Sequence, residues 1–96
     1  MIPLITRLSP HISWKEGVRS RTALRKGIDN TPGIEEIKCM IEVAELVFEP
    51  LREFVGGPIK INSFFRCKKL NTAIGGSRSS QHMKGQAIDI DDTFGH

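Results

Sequence analysis

A chain of 96 residues makes one small domain that buries only a little over half of the surface its unfolded form exposes, so its core is thin. Hydrophobic residues at 39% and charged residues at 26% are ordinary for a globular domain, and no apolar stretch is long enough to span a bilayer. Fourteen basic against eleven acidic residues give +3, but only Trp14 lies near the densest cluster (Arg19, Arg21, Arg25, Lys26), whereas nucleic-acid readers concentrate charge on one face beside stacking rings.

In chain order, the opening Met1-Ile2-Pro3-Leu4-Ile5-Thr6-Arg7 has no basic n-region, and Pro3 and Arg7 interrupt its apolar run. It does not read as a secretory signal, so the chain is expected to be cytoplasmic at synthesis. His11, beside Pro10, reads as structural or solvated. Ser13-Trp14-Lys15-Glu16 has the form of a capping box and predicts a short helix. A second short helix over 22–26 is expected to stop at Gly27.

Asp29-Asn30-Thr31-Pro32 predicts the start of the main helix, with Thr31 as cap and Pro32 in the first helical position. From there Ile34, Ile37, Ile41, Ala44, Phe48, Leu51 and Val55 recur at three- and four-residue steps and form one apolar face. Glu35, Glu36, Lys38, Glu42, Glu45, Glu49, Arg52 and Glu53 fall off that stripe and are expected in solvent. Pro50 predicts a kink or break near Glu49, and Gly56-Gly57-Pro58 predicts the end.

Residues 59–65 are rich in β-branched and aromatic side chains and read as a strand. Residues 68–73 suit a short helix, 75–80 a loop, and 86–91 a second strand with Ile88 and Ile90 on one face and Ala87 and Asp89 on the other. Helices first and strands later predict an α+β domain, with helices on one side of a small antiparallel sheet. Cys39 and Cys67 lack metal or redox spacing and read as half-buried thiols, with a disulfide between them as the alternative. The absent signal favours a reducing compartment.

The stretch that bears chemistry is Ser80-Gln81-His82-Met83-Lys84-Gly85-Gln86-Ala87-Ile88-Asp89. A histidine and an aspartate seven residues apart suit a hydrogen-bonded surface pair as well as a metal site. Gly85 permits a sharp turn, and small Ala87 leaves space beside Asp89. The stretch is similar to the S-x-H-x-x-G-x-A-x-D signature of the zinc D-alanyl-D-alanine carboxypeptidases and related cell-wall endopeptidases, phage endolysin-like peptidases among them. Random residues would fill its fixed positions roughly once in a million starting points. Arg25-Lys26-Gly27-Ile28-Asp29-Asn30-Thr31-Pro32, Glu49-Pro50-Leu51-Arg52, Gly57-Pro58-Ile59-Lys60-Ile61, Ser63-Phe64-Phe65-Arg66, Leu70-Asn71 and Gly75-Gly76-Ser77 extend the resemblance over most of the chain.

The resemblance implies a Hedgehog/DD-peptidase-like fold acting on peptidoglycan peptides, with zinc as cofactor and His82 and Asp89 as two of three ligands. Imidazole and carboxylate are suitable zinc donors, and a catalytic site leaves its remaining position open to water. Arg66 would clamp a substrate carboxylate or carbonyl through its planar fork, the alternative being a surface arginine or a helix-end ion pair. Ser80 and Gln81 would bind substrate by hydrogen bonds, or are simply loop polarity. The family draws its third ligand, a histidine in a later W-x-H-like strand, and its acidic general base from sequence after the motif. This sequence ends seven residues past Asp89, so both are expected beyond His96 and the last strands of the fold are expected to be missing. His96, with Asp91 and Asp92 before it, reads as a frayed end rather than a substitute ligand. Two functions stay in view: a zinc peptidase that meets the wall after release, and an incomplete member of the fold that binds wall peptide or a protein partner without cutting. An uncovered sheet edge offers a surface for pairing with a second chain, so a dimer stays among the expectations.

Overall fold

The computed structural model describes residues 6–91. It starts with an antiparallel hairpin that the sequence pattern does not reveal: β1 (Arg7–Ser9) pairs with β2 (Ile12–Ser13), with Arg7 opposite Ser13 and Ser9 opposite Ile12 across an irregular register. The capping box then forms as expected. The Ser13 hydroxyl accepts the Glu16 N–H at 3.2 Å, the Glu16 carboxylate accepts the Ser13 N–H at 3.0 Å, and α1 (Trp14–Val18) follows. α2 (Arg21–Lys26) is capped by Ser20 and stops at left-handed Gly27.

The main helix differs from expectation at its start, and near Pro50 it continues where a break was one of the expected outcomes. It begins as α3 (Ile34–Val43) after Gly33, because the Asp29 carboxylate takes both the N–H and the hydroxyl of Thr31, at 3.1 and 2.6 Å, in a local turn. Thr31 therefore caps nothing, and Pro32 lies outside the helix. At Pro50 the chain does not break. A π-helical turn over Ala44–Phe48 leads straight into α4 (Glu49–Val55), which ends at left-handed Gly56. Pro50 has no N–H and its ring crowds the preceding turn; one extra residue in that turn relieves the crowding without ending the helix. The apolar stripe buries Ile37, Ala44 and Phe48 together with Met40 and half-buries Ile41, Leu51 and Val55, but Ile34 at the helix start is 58% exposed.

After the helices come β3 (Ile61–Ser63), α5 (Lys68–Ala73), a 3-10 turn over Gln81–Lys84, and β4 (Asp89–Ile90). β3 and β4 are antiparallel, Ile61 facing Ile90 and Ser63 facing Asp89. Both strands are shorter than their sequence segments suggest, and the described residues form two separate two-stranded sheets in place of one. The α+β class stands. Leu8, Ile12, Met40, Ala44, Phe48, Ile59, Ile61, Phe64 and Phe65 form the core, with Ile88 and Ile90 packed against it. Cys39 and Cys67 are free and half-buried. No helix of the described residues is long and apolar enough to cross a membrane.

One helix residue expected in solvent instead fastens the hairpin to α4. The Glu49 carboxylate accepts the Ser9 hydroxyl at 2.6 Å and the His11 N–H at 2.9 Å, and its other oxygen meets His11 Nδ1 at 2.6 Å. Burial opposes ionisation there most strongly, but the bonds from Ser9 and His11 and the His11 charge together outweigh it and hold the carboxyl below its ordinary value of 4.5. A depressed folded value means that this stabilisation is present above 4.5 and is lost as pH falls through the folded value. Glu49→Gln is expected to lower stability at neutral pH by about 1–2 kcal/mol and to flatten the acid side of the stability curve. Urea unfolding from pH 7 down to pH 3 checks this; parallel wild-type and variant curves would refute it.

Candidate metal centre

His82 is fixed by backbone geometry before any metal is considered. The Ser80 hydroxyl accepts the His82 N–H at 3.3 Å and starts the 3-10 turn, which Gly85 closes in the left-handed region at φ 72°. A Cβ on Gly85 would stand 2.5 Å from the Glu36 carbonyl oxygen and 2.7 Å from Met40 Cγ on α3. Glycine is thus required for space as well as for conformation. The turn seats His82 at 7% exposure, and its ring meets the Phe64 carbonyl through Nδ1 at 2.7 Å.

That carbonyl can only accept, so Nδ1 carries the proton and, in the neutral ring, Nε2 presents a lone pair. Nε2 faces Asp89 Oδ2 at 3.3 Å, from the strand position opposite Ser63. Two electron-rich atoms so placed need a cation between them, either a proton or a metal. Two donors about 2.0–2.1 Å from a tetrahedral zinc stand about 3.3 Å apart, so the pair fits. A carbonyl-backed imidazole is also the usual arrangement for a metal-bound histidine. Asp89 is 61% exposed on its side chain, which leaves the other side of the pair open.

The segment carrying Phe64 and Arg66 is held on all sides. Phe65 N–H donates to Gly17 O at 3.0 Å and Arg66 N–H to His82 O at 3.2 Å. Buried Asn30 donates to Val18 O at 2.9 Å and Phe65 O at 3.0 Å, and accepts the Cys67 N–H at 2.7 Å. The sequence reading missed this role, treating Asn30 as part of a helix start; nothing local to Asp29-Asn30-Thr31-Pro32 marks a bond to a residue 35 positions on. Asn71, also buried, holds the motif loop by donating to Ser77 O at 2.8 Å.

The structure brings Arg66, Ser80, His82 and Asp89 together. Arg66 adjoins His82 through the backbone, and its Nε is buried with no hydrogen-bond partner. Ser80 spends its acceptor on the turn, while Gln81 is exposed and contributes its carbonyl to Gln86 N–H at 3.0 Å. Asp91 lies beside β3, its N–H bonded to Lys60 O at 2.8 Å. Asp92 and His96 fall outside the described residues. Among the described residues no three His, Cys, Asp or Glu side chains gather as a metal-binding group; the centre consists of the His82–Asp89 pair. Neither a curated protein nor a solved structure matches the chain. A family model described as Peptidase M15 matches residues 10–94.

Proposed function

The chain belongs to the peptidase M15 family, and from that premise we propose that it is a zinc-dependent peptidase of the Hedgehog/DD-peptidase fold, hydrolysing D-alanine-containing peptide bonds of bacterial peptidoglycan. The observation that carries the reading is that His82 Nε2, a lone-pair donor in the neutral ring, faces Asp89 Oδ2 at 3.3 Å. In this reading His82 and Asp89 hold the zinc, the carboxylate offsetting part of its charge. Zinc there would supply Lewis acidity toward the scissile carbonyl and an attacking water. Arg66, whose Nε has no hydrogen-bond partner among the described residues, orients the substrate by a planar fork to a carboxylate or carbonyl oxygen. Ser80 and Gln81 offer hydrogen bonds at the turn that carries His82.

A second reading, a member of the fold that binds wall peptide or a protein partner without cutting, is favoured by the fact that the described ligand set is a pair, whereas catalytic zinc sites take three protein ligands. Mass spectrometry of purified stem peptides incubated with the protein and zinc separates the two. Cleavage that stops on chelation and returns with zinc supports the peptidase. Peptide binding without any cleavage supports the second reading. Arg66→Lys is expected to lower the cleavage rate at least about tenfold, because an ammonium cannot reproduce a bidentate contact; full activity in that variant would remove Arg66 from the site.

A further inference from the structure

Beside the metal pair runs a groove of about 670 Å³, bounded by the turn between α1 and α2 and by β3. Arg19, Arg21, Lys60 and Arg66 all line it, and among the described residues no carboxylate does. None of these four cations forms an ion pair among the described residues, where the ion pairs are His11–Glu49, Lys38–Glu35 and His82–Asp89. Arg19 donates one guanidinium N–H to Ile61 O at 3.3 Å, which seats its fork at the edge of β3 with its other donors uncommitted. Like charges gathered in a concave site repel one another and raise the local positive potential. An anion relieves both effects.

Two residues of the groove belong to segments joined to the metal pair. Ser63 lines the groove and is the strand partner of Asp89, and Arg66 lines it and bonds through its N–H to His82 O. We infer that the groove is a subsite for acidic residues of the peptide substrate, in which Arg19, Arg21 and Lys60 recognise one or more side-chain carboxylates displaced from the scissile bond. The inference rests on the peptidase reading for its substrate and goes beyond it in substrate class: the preferred peptide carries carboxylates other than any at its C-terminus. Carboxylates suit the site because two arginine forks present paired N–H donors to planar oxygen pairs, with Lys60 as a point charge.

The test measures the affinity of the metal-stripped chain for two fluorescent D-alanine-containing peptides by anisotropy. One carries two side-chain carboxylates and the other is its side-chain amide. Wild-type protein is expected to favour the acid over the amide by about tenfold or more, and this preference should shrink toward unity in Arg19→Gln and in Lys60→Gln. Lys60 is exposed and makes no side-chain hydrogen bond among the described residues, so its variant keeps the test sound should Arg19→Gln loosen the edge of β3. Equal affinity for acid and amide, or a preference retained in both variants, would overturn the subsite. Tighter binding of inorganic phosphate than of the acidic peptide would also overturn it, since the groove would then serve phosphate. Because binding is read without metal, a failure of zinc-dependent cleavage counts against the peptidase reading alone, and a failure of acid preference against the subsite alone.

Discussion

His82→Ala is expected to weaken zinc binding at least about 100-fold, since removing even an outer partner of a metal ligand costs 10–100-fold and this substitution removes the ligand itself. The imidazole faces Asp89 through Nε2, and its Nδ1 hydrogen bond fixes which nitrogen points there. Asp89→Asn keeps the shape but removes the charge, so it should weaken binding less than His82→Ala. Titration calorimetry with metal-stripped protein measures both, and circular dichroism checks that the fold persists. Zinc affinity unchanged in both variants would place the metal elsewhere.

Asn30→Leu is expected to destabilise the fold by about 3–5 kcal/mol, because Val18 O, Phe65 O and Cys67 N–H would each lose a partner around a buried side chain, at about 1–3 kcal/mol per unsatisfied group. In a domain of this size that lowers the melting temperature by about 15–25 °C. Asn30→Asp keeps the acceptor for Cys67 N–H and loses both donations, so it should fall between wild type and the leucine variant. A melting temperature for Asn30→Leu within two or three degrees of wild type, by about the same scale, would show that the neighbouring bonds hold the Arg66 segment without Asn30.

What could be read from the sequence were features whose cause is local. The Ser13–Glu16 box, the stop at Gly27, the helix over Lys68–Ala73 and the end at Gly56 each depend on residues within a turn of one another. The stretch from Ser80 to Asp89 brings His82 and Asp89 together in the same way, since a turn and one strand join its two ends. Features set at long range were not legible. β1 and β2 are too short to show a period of two, and their hairpin is fastened by Glu49, some forty residues away, which the helical wheel alone assigns to solvent. The π-helical turn is one of several ways a helix can accommodate Pro50, and composition does not choose among them. Asn30 is set by groups on two distant segments, and Phe64 enters the centre through its carbonyl rather than through its side chain.

Zinc K-edge absorption of the metal-loaded chain tests the pairing of His82 with Asp89 most directly. A first shell of nitrogen and oxygen donors at about 2.0–2.1 Å is expected, with imidazole scattering that drops in His82→Ala. A sulfur shell at about 2.3 Å would assign the metal to Cys39 or Cys67, and imidazole scattering undiminished in His82→Ala would assign it to another histidine; either result contradicts the centre described.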